Sequence, residues 1–180
     1  MITGHLGVAA AARSRWPVVP LLWLLVASVA PDVLDLAYAA VGFCSPDGLY
    51  SHTLPAAGLT AAVLGGLAFL ATGSRAAGLV VGAMVLAHLP LDLVTGYKPY
   101  WPGGLPLGLR LYDWPWLDFL VEVPLVLGGW WLLRRSGRGH RWAVVGVIGV
   151  ALVLLQGTFD VLNGTLVKPN ACERSAAAMP

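Results

Sequence analysis

Five apolar stretches, each about as long as a lipid bilayer is thick, occupy most of this sequence. A hydrocarbon core of about 30 Å takes about 20 helical residues to cross, and the candidate spans cover approximately residues 16–43, 53–72, 75–95, 115–133 and 142–164. Only 11% of the residues are charged and 58% are apolar or aromatic, so a soluble globular enzyme and a disordered chain are both excluded. The sequence predicts an all-α fold, a polytopic membrane bundle of about five transmembrane helices.

Short gaps between the spans leave no room for an additional soluble domain. We expect a single transmembrane domain over residues 1–167 and a short polar C-terminal tail over residues 168–180. The formal net charge of +2 is scattered along the chain and forms no basic face, which excludes nucleic acid as a partner. Small residues such as Gly78 and Gly82 are spaced so that neighbouring helices can approach closely.

The N-terminal segment is apolar but too short to span. Residues 2–12 would form only about 16 Å of helix, which predicts a re-entrant or interfacial helix. A signal peptide is the competing interpretation, because Arg13 and Arg15 precede an apolar run that ends in small residues at 28–30. Pro31 would directly follow the cleavage site and block cleavage, which favours a retained helix.

The basic residues predict the orientation of the bundle, because cytoplasmic loops of membrane proteins carry the excess of Lys and Arg. One side of the predicted bundle holds seven of them: Arg13, Arg15, Arg75, Arg134, Arg135, Arg138 and Arg141. The other side holds four: Lys98, Arg110, Lys168 and Arg174. We therefore place loops 44–52 and 96–114 outside. Cys44 and Cys172 then also lie outside, where a disulfide and two free thiols are both open alternatives.

Several ionisable residues fall inside or at the outer edge of the apolar spans, where each costs about 2.5–3.5 kcal/mol on insertion scales. They are Asp32, Asp35, His52, His88, Asp92, Asp118, Glu122 and Asp160. In the predicted orientation all of them lie in the outer half of their helices. Pairs three or four residues apart share one helix face, so three helices can each direct two polar side chains to a common pocket.

Four of these residues, Asp32, His52, His88 and Asp92, form the predicted metal site. Imidazole and carboxylate ligands together suit a divalent metal ion, zinc or, with more oxygen ligands, manganese or iron. Pro31 and Pro90 lie beside the carboxylates, and a proline inside a helix usually kinks it and opens room there.

Structural interpretations compete with this one. A lone histidine in a helix is often a hydrogen-bonded packing residue, and Asp118 and Glu122 suit the membrane interface near the start of a helix. We expect Asp118, Glu122 and Asp160 to be structural and His140 to be solvated in a cytoplasmic loop. The outer loop 97–116 is rich in Tyr, Trp, Pro and Gly, which is typical of an interfacial aromatic belt or of a lid over a lipid-like substrate.

Five short motifs occur in order along the first 130 residues or so. They are His5-Leu6-Gly7, Pro31-Asp32 followed by Asp35, Ser51-His52-Thr53-Leu54, His88-Leu89-Pro90-Leu91-Asp92 with Thr95, and Tyr100-Trp101-Pro102. Together they resemble the YdjM-type, inner-membrane-associated metal-dependent hydrolases. The resemblance implies a multi-pass protein of the bacterial inner membrane with a hydrolase site built from His5, Asp32, Asp35, His52, His88 and Asp92.

The sequence departs from the pattern of that family in one segment. Asp47 stands where members carry a first histidine, and Gly48 stands where they carry an arginine. Aspartate can still bind a metal ion, although the change alters the charge and softness of the ligand set. Lys98 or Arg110 of the outer loop is an alternative source of a phosphate-binding cation.

The leading hypothesis is a membrane-bound, metal-dependent hydrolase acting on a phosphorylated or ester-containing, lipid-like substrate at the outer face. Asp32, His52, His88 and Asp92 would hold the metal, and the candidates for a further ligand or general base are Asp35, Asp47 and His5. A second hypothesis is a non-enzymatic transmembrane subunit that packs into a larger membrane protein complex. A third is a small transporter or proton relay that uses the intramembrane carboxylates. Membrane lipids are expected partners in each case.

Overall fold

The computed structural model describes residues 2–41 and 50–137, together with residues 151, 153–155 and 157–158. Five helices make up most of the described chain: α1 (Ile2–Arg15), α2 (Leu21–Ala40), α3 (Leu54–Thr72), α4 (Arg75–Thr95) and α5 (Pro115–Arg135). Two short 3₁₀ turns, Tyr50–His52 and Leu111–Asp113, lie in the connections. The loop between α4 and α5 also holds a small antiparallel hairpin of β1 (Lys98–Pro99) and β2 (Pro106–Leu107).

Helices α2 to α5 are each long and apolar enough to cross a membrane. They confirm four of the five predicted spans and the helical fold class. The fifth predicted span, 142–164, falls outside the described residues except for a few helical positions between 151 and 158. The start predicted for the first span was wrong, since α2 begins at Leu21 and residues 16–20 form a turn. The Arg13 guanidinium closes this turn by donating to the carbonyls of Pro17 and Val19.

Helix α1 lies inside the bundle rather than on its surface. It extends to Arg15, beyond the predicted end, and its roughly 21 Å are still too short to span. Thr3 meets Glu122 at the start of the contact with α5, and Gly7 meets the backbone of Leu125 and Val126 one turn further on. The two helices therefore run parallel and nearly touch, so α1 packs against the other helices of the bundle.

Helices α3 and α4 form an antiparallel pair joined by a tight turn. Gly73 ends α3 with φ of 66°, a left-handed conformation that favours glycine, and the Ser74 side chain caps the start of α4. Where the helices cross, a Cβ placed on Gly78 would lie 2.8 Å from the carbonyl oxygen of Gly65. One placed on Gly82 would lie 3.1 Å from that of Ala61, which confirms the predicted close approach at Gly78 and Gly82.

The chain reversals bring the polar ends of several helices together. Helices α2 and α4 end, and α3 and α5 begin, at the same end of the bundle, where the Tyr50–His52 turn and the β hairpin also lie. The described basic residues at the ends of α1 and α5 and at the start of α4 collect at the opposite end. This separation agrees with the charge asymmetry of the sequence.

Candidate metal centre

The structure brings the four predicted metal ligands into one cluster. Asp32 comes from α2, His52 from the 3₁₀ turn before α3, and His88 and Asp92 from one face of α4. Each offers one ligand atom, and these four atoms lie within 4.8 Å of one another. We call these four residues the metal cluster below.

Hydrogen bonds to the outer ring nitrogens orient both histidines of the cluster. His88 Nδ1 lies 2.8 Å from the carbonyl oxygen of Ser28, and His52 Nδ1 lies 2.8 Å from Asp35 Oδ2. An oxygen of this kind accepts a hydrogen bond, so the proton of each neutral imidazole lies on Nδ1. Both Nε2 atoms then turn a lone pair inward, and they face each other at 3.0 Å.

Distances within the cluster match those between the ligands of a single metal ion. Asp32 Oδ1 lies 3.3 Å from His52 Nε2 and 3.6 Å from His88 Nε2. Asp92 Oδ2 lies 3.1 and 3.2 Å from the same two atoms. Tetrahedral ligands on bonds of about 2.0–2.1 Å stand about 3.3–3.4 Å apart, and adjacent octahedral ligands stand about 3.0 Å apart. These four separations, with the 3.0 Å between the two Nε2 atoms, lie near the range expected for adjacent ligands of a small divalent cation.

The electrostatics of the cluster also call for a cation. Asp32 Oδ2 and Asp92 Oδ1 are buried and accept no hydrogen bond from the described residues. Burial alone would lower the pKa of the His52 imidazole, but its hydrogen bonds to Asp32, Asp35 and Asp92 outweigh burial and raise that pKa to about 9. The carboxylates therefore favour positive charge at the position of His52.

Asp35, predicted as a catalytic residue, lies behind His52. Its Oδ2 accepts from His52 Nδ1, while its Oδ1 accepts from the Ser51 hydroxyl at 2.6 Å and from the Ser51 amide at 3.2 Å. The Ser51 hydroxyl also lies 2.6 Å from the carbonyl oxygen of Pro31. Sequence reasoning did not assign Ser51 a role, although its position directly before the ligand His52 was the available signal.

His5 reaches the cluster from α1. Its ring stacks on that of His88 with centroids 3.9 Å apart, and its Nε2 lies 3.7 Å from Asp92 Oδ1 and 3.4 Å from the His88 carbonyl oxygen. The sequence placed His5 here only on the condition that the short helix enters the bundle, which α1 does.

Asp118 and Glu122 are fully buried on α5, with Asp118 in its first turn. Glu122 Oε2 accepts hydrogen bonds from the Thr3 hydroxyl at 2.6 Å and from the Gly4 amide at 3.1 Å. A carboxylate at this place satisfies the Gly4 amide at the start of α1 and complements the dipole of that helix. Glu122 is thus structural, as predicted, but it stabilises a different helix from its own.

Lys98 joins the cluster from strand β1. Its ammonium lies 2.5 Å from Asp92 Oδ2 and 3.0 Å from His52 Nε2. Arg110, the other candidate cation of this loop, is largely exposed and pairs with Asp113 at 3.0 Å. Of the two candidate phosphate-binding cations, which the sequence could not distinguish, the structure therefore places Lys98 at the cluster and Arg110 outside it.

The cluster opens towards solvent along one edge. His52, His88 and Asp92 are at most 1% exposed, whereas Lys98 is 12% and Asp32 24% exposed. The Tyr100 hydroxyl donates to the Leu89 carbonyl, and burial together with the charge of Asp92 raises the pKa of Tyr100 to about 12. Asp35 is 14% exposed, so among the described residues Asp32, Asp35 and Lys98 form the exposed edge of the site.

Other predicted features fall outside the described residues. These are Asp47, both cysteines, His140 and Asp160, along with the polar tail. The aromatic loop is described, and Trp101, Trp114 and Trp116 are exposed on its surface.

Fold and site together define a class: an α-helical bundle with four helices long and apolar enough to cross a membrane and a cluster of histidine and aspartate near one end of them. No family model, curated protein or solved structure matches the chain. The resemblance to YdjM-type hydrolases therefore depends on the sequence motifs alone.

Proposed function

We propose that this protein is a metal-dependent hydrolase of the bacterial inner membrane, acting on a phosphorylated or ester-containing, lipid-like substrate at the outer face. The orientation of the two histidines is the observation that carries the proposal. His52 and His88 each bind an acceptor through Nδ1 and point Nε2 at the same place. Histidines that bind metals are held in this way, with the second ring nitrogen on a carboxylate or a carbonyl.

Zinc or manganese held by Asp32, His52, His88 and Asp92 would supply Lewis acidity, polarising a phosphoryl or carbonyl oxygen and making water more acidic. The rest of the chemistry falls to the protein. Asp35 fixes the proton of His52 on Nδ1, and burial excludes bulk water from all but one edge of the cluster. We assign Asp35 an orienting role and keep His5 and Asp47 as candidates for a further ligand or general base.

Elemental analysis of the detergent-purified protein tests the metal site. We expect about one equivalent of zinc or manganese in the wild type and none in His88→Ala. Asp113→Asn is the control, since Asp113 is exposed and lies outside the cluster. A wild type without metal would refute the proposal, as would His88→Ala with its metal retained.

Hydrolysis is tested separately with phospholipid and polyprenyl-phosphate substrates in mixed micelles. We expect turnover by the metal-loaded wild type, loss of turnover on chelation, and recovery when the metal is restored. A metal-loaded protein that hydrolyses no substrate of either class would leave a metal site without the proposed activity.

One observation favours the non-enzymatic alternative. Lys98 already neutralises part of the negative charge of Asp92, and an ion-pair network of this kind can serve packing without a metal. A structural subunit should copurify with a stoichiometric membrane partner and contain no metal. The same elemental analysis, with the copurifying proteins identified, separates the two functions.

A further inference from the structure

The ammonium of Lys98 pairs with Asp92 and lies beside His52, at two of the atoms that the proposed metal would use. It lies 2.5 Å from Asp92 Oδ2 and 3.0 Å from His52 Nε2, which are both inward-facing ligand atoms of the metal cluster. We propose that the metal ion displaces Lys98 from these atoms and that the displaced ammonium then forms, with the metal, a binding site for a phosphate oxyanion. This inference rests on the metal site proposed above.

Lys98 and a metal ion exclude each other for geometric and electrostatic reasons. An ion about 2 Å from Asp92 Oδ2 and His52 Nε2 would lie within a few ångströms of the Lys98 nitrogen. At such a separation, repulsion between a divalent cation and an ammonium is strong in a poorly solvated site. An ammonium has no lone pair to offer the metal, so it must leave.

The hairpin keeps the displaced ammonium close to the cluster. Lys98 lies in β1, whose pairing with β2 fixes its backbone, and the neighbouring Tyr100 carbonyl accepts from the Leu54 amide at 2.8 Å. The stem of the side chain packs over Gly96, where an added Cβ would lie 3.4 Å from Lys98 Cε. The anchored backbone and the four-carbon stem let the ammonium move without leaving the open edge.

The charges at that edge select the class of ligand. Asp32, Asp35 and Asp92 carry three negative charges when ionised, and a divalent metal with Lys98 offsets all three. An incoming phosphate monoester would then meet a metal ion and a mobile ammonium instead of unscreened carboxylates. Lysine is a common phosphate ligand because its ammonium acts as a compact point charge.

Competition with a chromophoric chelator tests both parts of the inference, with Lys98→Met as the main variant. Methionine keeps much of the stem and removes the competing charge. We expect Lys98→Met to bind zinc at least about tenfold more tightly than the wild type in phosphate-free buffer, because no ion pair must be broken. Arg110→Met is the control, because it removes an exposed cation of the same loop that lies outside the cluster. It should change neither the affinity for zinc nor the effect of phosphate on that affinity.

Phosphate is added in the second arm, as inorganic phosphate or as short-chain phosphatidic acid. Either form should strengthen zinc binding by the wild type more than zinc binding by Lys98→Met, which keeps the metal but lacks the ammonium. If the lipid alone acts, the oxyanion site takes a membrane headgroup, and if both act, the phosphate group suffices. Zinc binding by Lys98→Met that equals the wild type, or an equal phosphate effect in both, would overturn the inference and leave the metal site intact. Absence of zinc binding in both proteins would overturn the metal site itself.

Discussion

Replacing Asp35 by asparagine should weaken metal binding although Asp35 lies behind the proposed ligands. The carboxylate of Asp35 has two kinds of neighbour: Ser51, whose amide and hydroxyl donate to Oδ1, and His52, whose Nδ1 donates to Oδ2. Asparagine has nearly the same shape but presents one oxygen and one NH₂ group.

The backbone decides which way that asparagine would turn. The Ser51 amide can only donate, so the side-chain oxygen of asparagine should stay with Ser51 and the NH₂ group should face His52. His52 must then accept at Nδ1 and carry its proton on Nε2. Its inward lone pair, the one directed at the metal, is lost in this tautomer.

The expected magnitude follows from the role of such outer partners. Removing one typically lowers metal affinity about 10–100-fold, which corresponds to about 1.4–2.7 kcal/mol. Chelator competition on purified Asp35→Asn measures it directly, and Asp113→Asn provides the same chemical change at an exposed aspartate. Wild-type affinity in Asp35→Asn would refute both the tautomer assignment and the orienting role of Asp35.

Three further predictions concern the bundle and its pH dependence. Glu122→Ala leaves the buried amide of Gly4 without its carboxylate acceptor. It should lower the free energy of unfolding, measured in detergent, by about 1–3 kcal/mol. An unchanged unfolding midpoint would contradict the capping of α1 by Glu122. Gly65→Ala should lower the free energy of unfolding by about 1–3 kcal/mol, because the added methyl group overpacks against α4. Gly66→Ala has open space beside it and should leave stability unchanged. Equal effects of the two substitutions would contradict the close crossing of α3 and α4. The pKa of His52 is raised to about 9, so a proton competes with the metal ion for His52 below that pH. The affinity for the metal should therefore fall about tenfold per pH unit on acidification and level off above about pH 9. A metal affinity that does not change between about pH 6 and 8 would contradict this.

The spans and the candidate ligands were predictable because both depend on local properties of the chain. A helix enters a bilayer according to the hydropathy of its own residues, so α2 to α5 stand out in the sequence. His88 and Asp92 share a face because they are four residues apart. An ionisable residue in lipid is costly wherever it occurs, which singles out Asp32 without reference to its neighbours.

The place of the short N-terminal helix was not predictable in the same way. Helix α1 is rich in alanine and glycine on all sides, and its own residues give no direction for packing. Its position depends on Glu122, which holds its first turn, and on the close approach of Gly7 to Gly129, more than a hundred residues away in the chain. His5 reaches the cluster only as a consequence of that packing.

The sequence by itself determined that the chain is a membrane helix bundle and that Asp32, Asp35, His52, His88 and Asp92 belong to its polar end. Tertiary structure alone decided what each one does there. Asp32 and Asp35 are three residues apart on one helix, yet Asp32 faces the Nε2 atoms and Asp35 lies against the Nδ1 of His52. Lys98 enters from a loop 46 residues beyond His52. Roles of this kind depend on which atoms of distant segments meet within about 3 Å, and no local property of the sequence encodes that.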